Sequence, residues 1–162
     1  MPIERLEAKH DRASFDCDVE PLNEFLRQRA GQQQRQGFSK TYVAVGEDGA
    51  VRGYVTLSAG QIQCAVLPMG HRLPRHPAPV LRVGRLAVDR RAHGLGVGKD
   101  LLAFALKLAL EFSERVGIYA VVVDAKDERA AAYYRGLAFV STLDDALCLY
   151  LPVGVLAKVG GG

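Results

Sequence analysis

Hydrophobic residues recur along the chain in two patterns, one with the spacing of an amphipathic helix and one with the near-continuous run of a buried strand. The helical spacing first occurs at Leu22, Phe25, Leu26 and Ala30. It predicts a helix that begins within residues 18–21, where Pro21 is tolerated in the first turn. We expect the helix to end at Gly31 or Gly37.

The longest helical pattern covers residues 100–115. Its polar positions fall on one stripe, formed by Asp100, Lys107, Glu111 and Glu114. Because the other positions from 101 to 112 are apolar, we expect this helix to be buried everywhere except along that stripe.

Apolar runs separated by turn residues predict the strands. Residues 42–45 and 51–57 are expected to form a hairpin, because the Glu-Asp-Gly sequence between them is typical of a turn. Residues 118–123 form a continuous apolar run, which is typical of a strand covered on both faces. The further predictions are strands at 62–67, 80–88 and 147–151, a loop at 68–79, a turn at 94–98 and a helix at 127–135. This order predicts a mixed α/β sheet with helices on both sides.

Length and composition are those of an ordinary globular protein. The chain has 162 residues, of which 49% are hydrophobic and 24% charged, and we expect a single domain over residues 1–162. No apolar stretch is long enough to span a bilayer, and the first residues do not have the pattern of a secretion signal. The three cysteines lack the spacing of a zinc or redox motif. These features predict a cytoplasmic protein with reduced thiols, no bound metal and no membrane association.

A glycine-rich turn lies between the predicted strand 80–88 and the long helix. Gly94, Gly96 and Gly98 alternate with other residues there. The first N–H groups of a helix lack partners within the helix and carry partial positive charge, and glycine lets an anion approach them closely. The arrangement therefore predicts a phosphate site, although the glycines could also serve only to make a tight turn.

Two common phosphate-binding motifs fail at this turn. A P-loop would need glycine and a hydroxyl residue where His93 and Asp100 stand. The dinucleotide pattern G-x-G-x-x-G would need glycine at Lys99 or Leu101. The pyrophosphate of coenzyme A is the remaining candidate.

Residues 85–102 resemble the acetyl-CoA-binding motif of the GNAT N-acetyltransferase superfamily, Gln/Arg-x-x-Gly-x-Gly/Ala followed by Leu-Leu. Anchored on Leu101-Leu102, the motif begins at His93, where glutamine or arginine is usual. A second register, residues 91–96, also matches but misplaces the leucine pair. Downstream, residues 130–139 are similar to the superfamily pattern A-x-x-F-Y-x-x-x-G-F, with Tyr133 in place of phenylalanine and Ala138 in place of glycine.

Further similarity extends over nearly the whole chain, at residues 6–12, 15–17, 22–26, 53–58, 73–75, 85–89 and 122–125. These stretches resemble one GNAT branch, the acetyltransferase toxins of bacterial toxin–antitoxin pairs. The resemblance implies the GNAT fold, a mixed and mostly antiparallel sheet flanked by helices on both faces. It also implies acetyl-CoA as acetyl donor, aminoacyl-tRNA as acceptor and a ribbon-helix-helix antitoxin as partner, and it leaves a homodimer open.

The same resemblance implies roles for individual residues. A backbone N–H of the strand before the turn would face the thioester carbonyl, and Tyr134 would give a proton to the departing sulfur, whereas Tyr133 would serve in packing. The residues implied to bind acetyl-CoA are Leu86, Ala87, Val88, His93, Gly94, Leu95, Gly96, Val97, Gly98 and Lys99. No general base is assigned, since Asp124 and Glu128 could equally be solvated or cap helices.

Two basic segments are candidates for contact with a nucleic-acid backbone. The first basic segment, residues 27–40, has four cations and no acid, and the second basic segment, residues 72–91, has six arginines against Asp89. Charge alone leaves RNA binding open, because such runs are also ordinary solvated faces and Arg90 or Arg91 could serve the phosphates of coenzyme A instead.

Three functions therefore stand beside one another. The first is a tRNA-acetylating toxin, which the resemblance favours. The second is a GNAT enzyme for a small-molecule or protein amine, in which the basic segments are incidental. The third is a binding module that keeps the fold without catalysis, and Tyr134 with the intact glycines argues against it.

Overall fold

The computed structural model describes residues 1–68, 73–74 and 76–160, with side chains up to residue 158. Arg72 and Arg75 of the second basic segment lie outside the described residues, as does part of the loop predicted at 68–79. The chain forms two compact units. The first contains Met1–Ser58 and Gly84–Ala105, and the second contains Ala59–Val83 and Leu106–Gly162.

Seven strands form one sheet in the order β1-β2-β3-β4-β5-β7-β6. They are β1 (Ile3–Arg5), β2 (Lys40–Val45), β3 (Val51–Ile62), β4 (Ala78–Val88), β5 (Ala120–Asp124), β6 (Val140–Ser141) and β7 (Cys148–Pro152). β4 and β5 pair in parallel, whereas β1 with β2, β2 with β3, β5 with β7 and β6 with β7 pair antiparallel. The predicted mixed and mostly antiparallel sheet is therefore confirmed.

The helices are α1 (Glu20–Glu24), α2 (Ala30–Arg35), α3 (Val97–Ser113), α4 (Glu128–Gly136) and α5 (Val153–Gly160). A π-helical turn, Phe25–Arg29, joins α1 to α2, so that one continuous helical segment runs from Glu20 to Arg35 as the hydrophobic spacing predicts. No helix among the described residues is long and apolar enough to cross a membrane.

In the first unit, helices cover both faces of β3. Tyr54 is fully buried on one face, where its ring contacts Phe15 edge-on and stacks on Phe25, and its hydroxyl donates to the carbonyl of Leu22 at 2.8 Å. Gly53 faces the other side, where a Cβ atom would lie 2.8 Å from Val97 Cγ1 and could not be accommodated without movement of α3. Glycine at position 53 therefore lets α3 pack directly on the strand.

In the second unit, the core forms around β5, whose first four residues are buried. Val80, Ala120, Val122 and Tyr150 pack there with residues from the end of β3 and the following turn. α4 contacts β6 and β7, and α5 contacts β5 and β7. The continuous apolar run predicted for this strand is thus explained by cover on both of its faces.

Two predicted elements differ from the structure. The prediction of a strand at 62–67 is wrong, because Ile62 ends β3 and Cys64–Val66 forms a 3-10 turn. In this turn the amide of Val66 donates to the carbonyl of Gln63, and the amide of Leu67 donates to the carbonyl of Cys64. The long helix begins at Val97 rather than at residue 100 and ends at Ser113. Short elements carry little periodicity, and β1, β6 and α5 were not predicted.

Candidate active site

Two glycines of the turn adopt backbone conformations that other residues rarely take. Gly94 has φ 82° and Gly96 has φ 78°, both in the left-handed region that is strained for a residue with a Cβ atom. A Cβ added to either would meet nothing within 4 Å, so the space beside this backbone is open. Gly98 differs, since it has ordinary dihedrals and a Cβ atom there would contact Val88 Cγ2 at 3.4 Å.

The N-terminus of α3 presents free amide groups at this turn. The amide of Asp100 is the first to bond back along the helix, to the carbonyl of Gly96 at 3.0 Å. The amides of Val97, Gly98 and Lys99 donate to no acceptor in the described part of the chain. Because these three N–H groups share the positive end of a 17-residue helix, they form a site for an anion such as a pyrophosphate.

The side chains of the turn are placed differently from one another. Val97 is buried, whereas Leu95 and Lys99 are exposed. His93 is also exposed, and its Nε2 lies 3.0 Å from the carbonyl oxygen of Val88. A carbonyl can only accept, so Nε2 carries the proton and Nδ1 of the neutral ring remains an acceptor. The ring therefore ties the turn to the end of β4.

At the end of β4, backbone groups on one side face an edge with which β5 does not pair. Among the described residues, β5 pairs with β4 only as far as Val83, and β4 continues to Val88. The amide of Asp89 donates to Arg52 of β3, and backbone groups alternate in direction along a strand. Leu86 and Val88 consequently direct their backbone groups toward the unpaired edge, whereas Ala87 directs its own toward β3.

A buried carboxylate fixes the connection between β4 and the turn. Asp89 is 0% exposed and accepts from Nε and Nη2 of Arg91, from the Arg91 amide and from the Asp16 amide, all at 2.9–3.0 Å. Burial alone would raise the pKa of Asp89, but these hydrogen bonds outweigh it and hold the pKa at about 2. Arg91 is thereby occupied within the protein. Arg90 is exposed and only loosely paired with Asp16 and Asp18, at 3.7 and 3.9 Å.

Tyr134 lies on α4 in the second unit and is 6% exposed. Its ring packs edge-on against Phe139 and Tyr133, with centroids 5.8 and 5.7 Å apart. Its hydroxyl has no hydrogen-bond partner in the part of the chain that the structure describes. Burial raises the pKa of Tyr134 to about 12, with a smaller contribution from Tyr133, so the phenol stays protonated at neutral pH. Tyr133 itself is 46% exposed.

The helix that carries Tyr134 has a side-chain cap at its N-terminus and a residue with positive φ just after its C-terminus. Asp127 caps its N-terminus by accepting from the amide of Ala130 at 2.8 Å. At the other end Ala138 has φ 76°, the conformation for which glycine is favoured just after a helix. The departure from the superfamily pattern at position 138 therefore places a strained alanine at a glycine position.

The two carboxylates considered as bases are both ion-paired. Glu128 lies 2.7 Å from Arg135, and this hydrogen bond lowers the pKa of Glu128. Asp124 receives two hydrogen bonds from Nη1 of Arg82, at 2.7 and 2.9 Å. Both carboxylates are engaged by arginines, and the role of general base stays unassigned.

Most of the described cations of the two basic segments have acidic partners. In the first basic segment Arg27 pairs with Glu20 at 3.1 Å and Arg29 with Glu24 at 3.7 Å. In the second, Arg82, Arg90 and Arg91 all have acidic partners. Among the described cations of these segments, Arg35, Lys40 and Arg85 have no acidic partner.

The sequence pattern of the acetyltransferase (GNAT) family matches residues 6–139, which include the glycine turn and Tyr134. This chain belongs to that family. It is 33% identical over 149 residues to the tRNA-acetylating toxin of Mycobacterium tuberculosis (strain ATCC 25618 / H37Rv), covering 91% of this chain and 89% of the relative.

Solved structures of the family are similar over almost the full length. AtaT complexed with acetyl-methionyl-tRNAfMet has a TM-score of 0.92 and 30% identity, and the alignment covers 98% of both chains. A mutant AtaT toxin bound to the C-terminus of the antitoxin AtaR and acetyl-CoA has a TM-score of 0.87 and 28% identity, over 99% of this chain and 98% of that one. The predicted GNAT fold is confirmed by these likenesses.

Proposed function

We propose that this protein moves the acetyl group of acetyl-CoA to the amino group of aminoacyl-tRNA and acts as the translation-inhibiting toxin of a toxin–antitoxin pair. The observation that carries the proposal is the match, over nine-tenths of the chain, to a family member named for acetylating tRNA. The open anion site at the start of α3 supports the donor half of the reaction.

Acetyl-CoA binds along the end of β4 and the glycine turn. The amides of Val97, Gly98 and Lys99 donate hydrogen bonds to the pyrophosphate. Gly94 and Gly96 have left-handed backbone conformations and no side chain, so the pyrophosphate can come close to these amides. The backbone groups of Leu86 and the amide of Val88, on the unpaired edge, bond the extended arm of acetyl-CoA, and one of the two amides polarises the thioester carbonyl. Ala87 is the weakest of the three candidates for that amide, because its backbone faces β3.

Transfer begins when the neutral α-amine of the acceptor attacks the thioester carbonyl. A carbon–nitrogen bond forms as the carbon–sulfur bond breaks, the amine gives its proton to solvent water, coenzyme A leaves as the thiol, and water returns a proton to the Tyr134 phenolate. Tyr134, whose protonated hydroxyl has no partner among the described residues, donates to that sulfur as it departs. The α-amine of an aminoacyl ester has a lowered pKa, so its neutral form is available without a strong general base.

The proposal extends to partners and to location. We assign to the toxin an antitoxin of the ribbon-helix-helix class, a homodimeric state and a cytoplasmic site of action, where charged tRNA is found. We also propose that residues 1–162 act as a single domain, because the family pattern runs through both compact units.

A GNAT enzyme for a small-molecule or protein amine is the alternative. A cavity of about 330 Å³ in the second unit favours it, because Asp124, Asp144 and Asp145 line this cavity and Arg82 is the one cation among its described lining residues. Such a lining suits a positively charged amine better than a phosphate backbone. The unpartnered hydroxyl of Tyr134 argues against a binding module without catalysis.

Labelled acetyl-CoA incubated with total charged tRNA tests the proposal. The label should appear as N-acetylaminoacyl-tRNA, and prior removal of the amino acid from the tRNA should abolish incorporation. Label that appears only in polyamines or protein added to the same mixture would support the alternative.

A further inference from the structure

Arg85 is a partly buried cation without an anion. Its guanidinium carbon lies 3.7 Å from the centre of the Phe25 ring. No hydrogen bond or ion pair of its side chain occurs within the described residues, although the other described arginines of β4 and of the following turn are all paired. Because this half-buried guanidinium has no acidic partner within the described residues, its N–H groups are available to an anionic ligand.

The ring beneath Arg85 is a rigid support. Phe25 is 1% exposed and stacks on Tyr54, which is itself fixed by its hydroxyl bond to Leu22. Phe25 also begins the π-helical turn Phe25–Arg29, and such turns are concentrated at functional sites. The guanidinium therefore lies over the face of a rigidly held ring.

The position of Arg85 in β4 favours contact with the acceptor over contact with coenzyme A. It directly precedes Leu86, and its side chain lies on the same face as Ala87, toward the core that contains Phe25. A strand rises about 3.3 Å per residue, so Arg85 lies about 10 Å before Val88 along β4. The start of α3, where the pyrophosphate is proposed to bind, packs through Val97 on the face of β3 opposite Phe25, so that one phosphate group does not reach both.

We propose that Arg85 binds the phosphodiester that immediately precedes the aminoacylated terminal nucleoside of the acceptor, an inference that rests on the function proposed above. The amino acid of charged tRNA is an ester and has no carboxylate, so this phosphodiester is the nearest anion to the reacting amine. A guanidinium binds phosphate through two parallel N–H groups, which gives direction as well as affinity. Arg85 thereby positions the amine beside β4 and selects nucleotide esters against free amino acids.

Two small acceptors isolate this contact. One is an aminoacyl ester of adenosine, which has no phosphate, and the other is the same ester on a cytidylyl-adenosine dinucleotide, which has one phosphodiester. The wild type should acetylate the dinucleotide with a kcat/KM at least tenfold higher. Arg85→Gln should lose this preference while its kcat/KM for the adenosine ester and its affinity for acetyl-CoA stay unchanged. Arg115→Gln removes the charge of an exposed arginine beyond the end of α3 and should keep the preference.

Each other outcome has a distinct meaning. If Arg85→Gln keeps the preference for the dinucleotide, the assignment of Arg85 is wrong while the proposed function stands. The same holds if its kcat/KM falls equally for both esters and its affinity for acetyl-CoA is normal. If the wild type acetylates neither ester nor charged tRNA, the proposed function fails first. Should Arg85→Gln fail to fold, Arg85→Lys carries the test, because it keeps the charge but not the paired N–H groups, and it should lower the preference without abolishing it.

Discussion

The guanidinium of Arg91 holds the fully buried carboxylate of Asp89 by two hydrogen bonds, 2.9 Å from Nε to Oδ1 and 3.0 Å from Nη2 to Oδ2. The amides of Asp16 and Arg91 complete the set of donors. This pair fixes the chain where β4 ends and the turn toward α3 begins, and so determines the direction in which the free amides of α3 point.

Asp89→Asn should destabilise the protein in a pH-dependent way. The folded-state pKa of about 2 lies below the ordinary value of 3.8, so the stabilisation by the carboxylate is complete above about pH 4 and is lost as the pH falls toward 2. Urea unfolding of wild type and variant should therefore differ most at neutral pH and converge in acid. Glu111→Gln, at an exposed position of α3, should show no such convergence, and a constant difference for Asp89→Asn would contradict the assignment.

Gly96→Glu should abolish acetyl-CoA binding in calorimetry. The left-handed conformation costs about 1–2 kcal/mol in a residue with a Cβ atom, and the new carboxylate would occupy the open space where the pyrophosphate is proposed to bind. Gly49→Glu is the matched control, because Gly49 also has positive φ and open space but lies in the β2–β3 hairpin. Both variants should lose similar stability, and only the first should lose the ligand. Unchanged affinity in Gly96→Glu would exclude this turn as the site.

Tyr134→Phe should lower kcat by roughly 10²–10⁴, the usual effect of losing a general acid, and leave acetyl-CoA affinity nearly intact. The reason is that the only group removed is a hydroxyl with no partner inside the described structure. Tyr133→Phe removes the same atom from a half-exposed neighbour and should have a mild effect. A Tyr134→Phe enzyme that works at full rate would rule out the role.

Ala138→Gly should stabilise the protein by about 1 kcal/mol, since it relieves a left-handed alanine at the end of α4. Ala132→Gly makes the same chemical change at an exposed position within α4 and should destabilise by about 1 kcal/mol. The two midpoints of urea unfolding should move in opposite directions. A loss of stability in both variants would show that the strain at Ala138 is unimportant.

Hydrophobic spacing was sufficient to predict the helical segment from Glu20 to Arg35, but not its π-helical turn. An α-helix and a single π-helical turn bury residues at similar spacing, so the hydrophobic pattern at Phe25 and Leu26 does not distinguish the two. The glycine turn was predictable because left-handed backbone demands glycine, as it does at Gly94 and Gly96. Position 138 also has a left-handed backbone but holds alanine, so only the superfamily pattern, which has glycine there, indicates this conformation.

Side-chain partners were the least predictable feature. Counting charges made residues 27–40 a purely basic segment, yet Glu20 and Glu24, just upstream, neutralise Arg27 and Arg29 across turns of the helix. The contact of Arg85 with Phe25 depends on which face of β4 meets the N-terminal helices. That is a property of tertiary packing, because residues 25 and 85 are far apart in sequence.

The identity of the acceptor can be tested by comparing two values of kcat/KM, one for charged tRNA and one for free amino acids and polyamines. Both should be measured at two salt concentrations. Phosphate contacts release counterions, so transfer to charged tRNA should be strongly preferred at low salt and should fall steeply as salt is raised. Transfer to free amines should be slow and nearly independent of salt. Efficient acetylation of free amines, with none of charged tRNA at either salt concentration, would contradict the account.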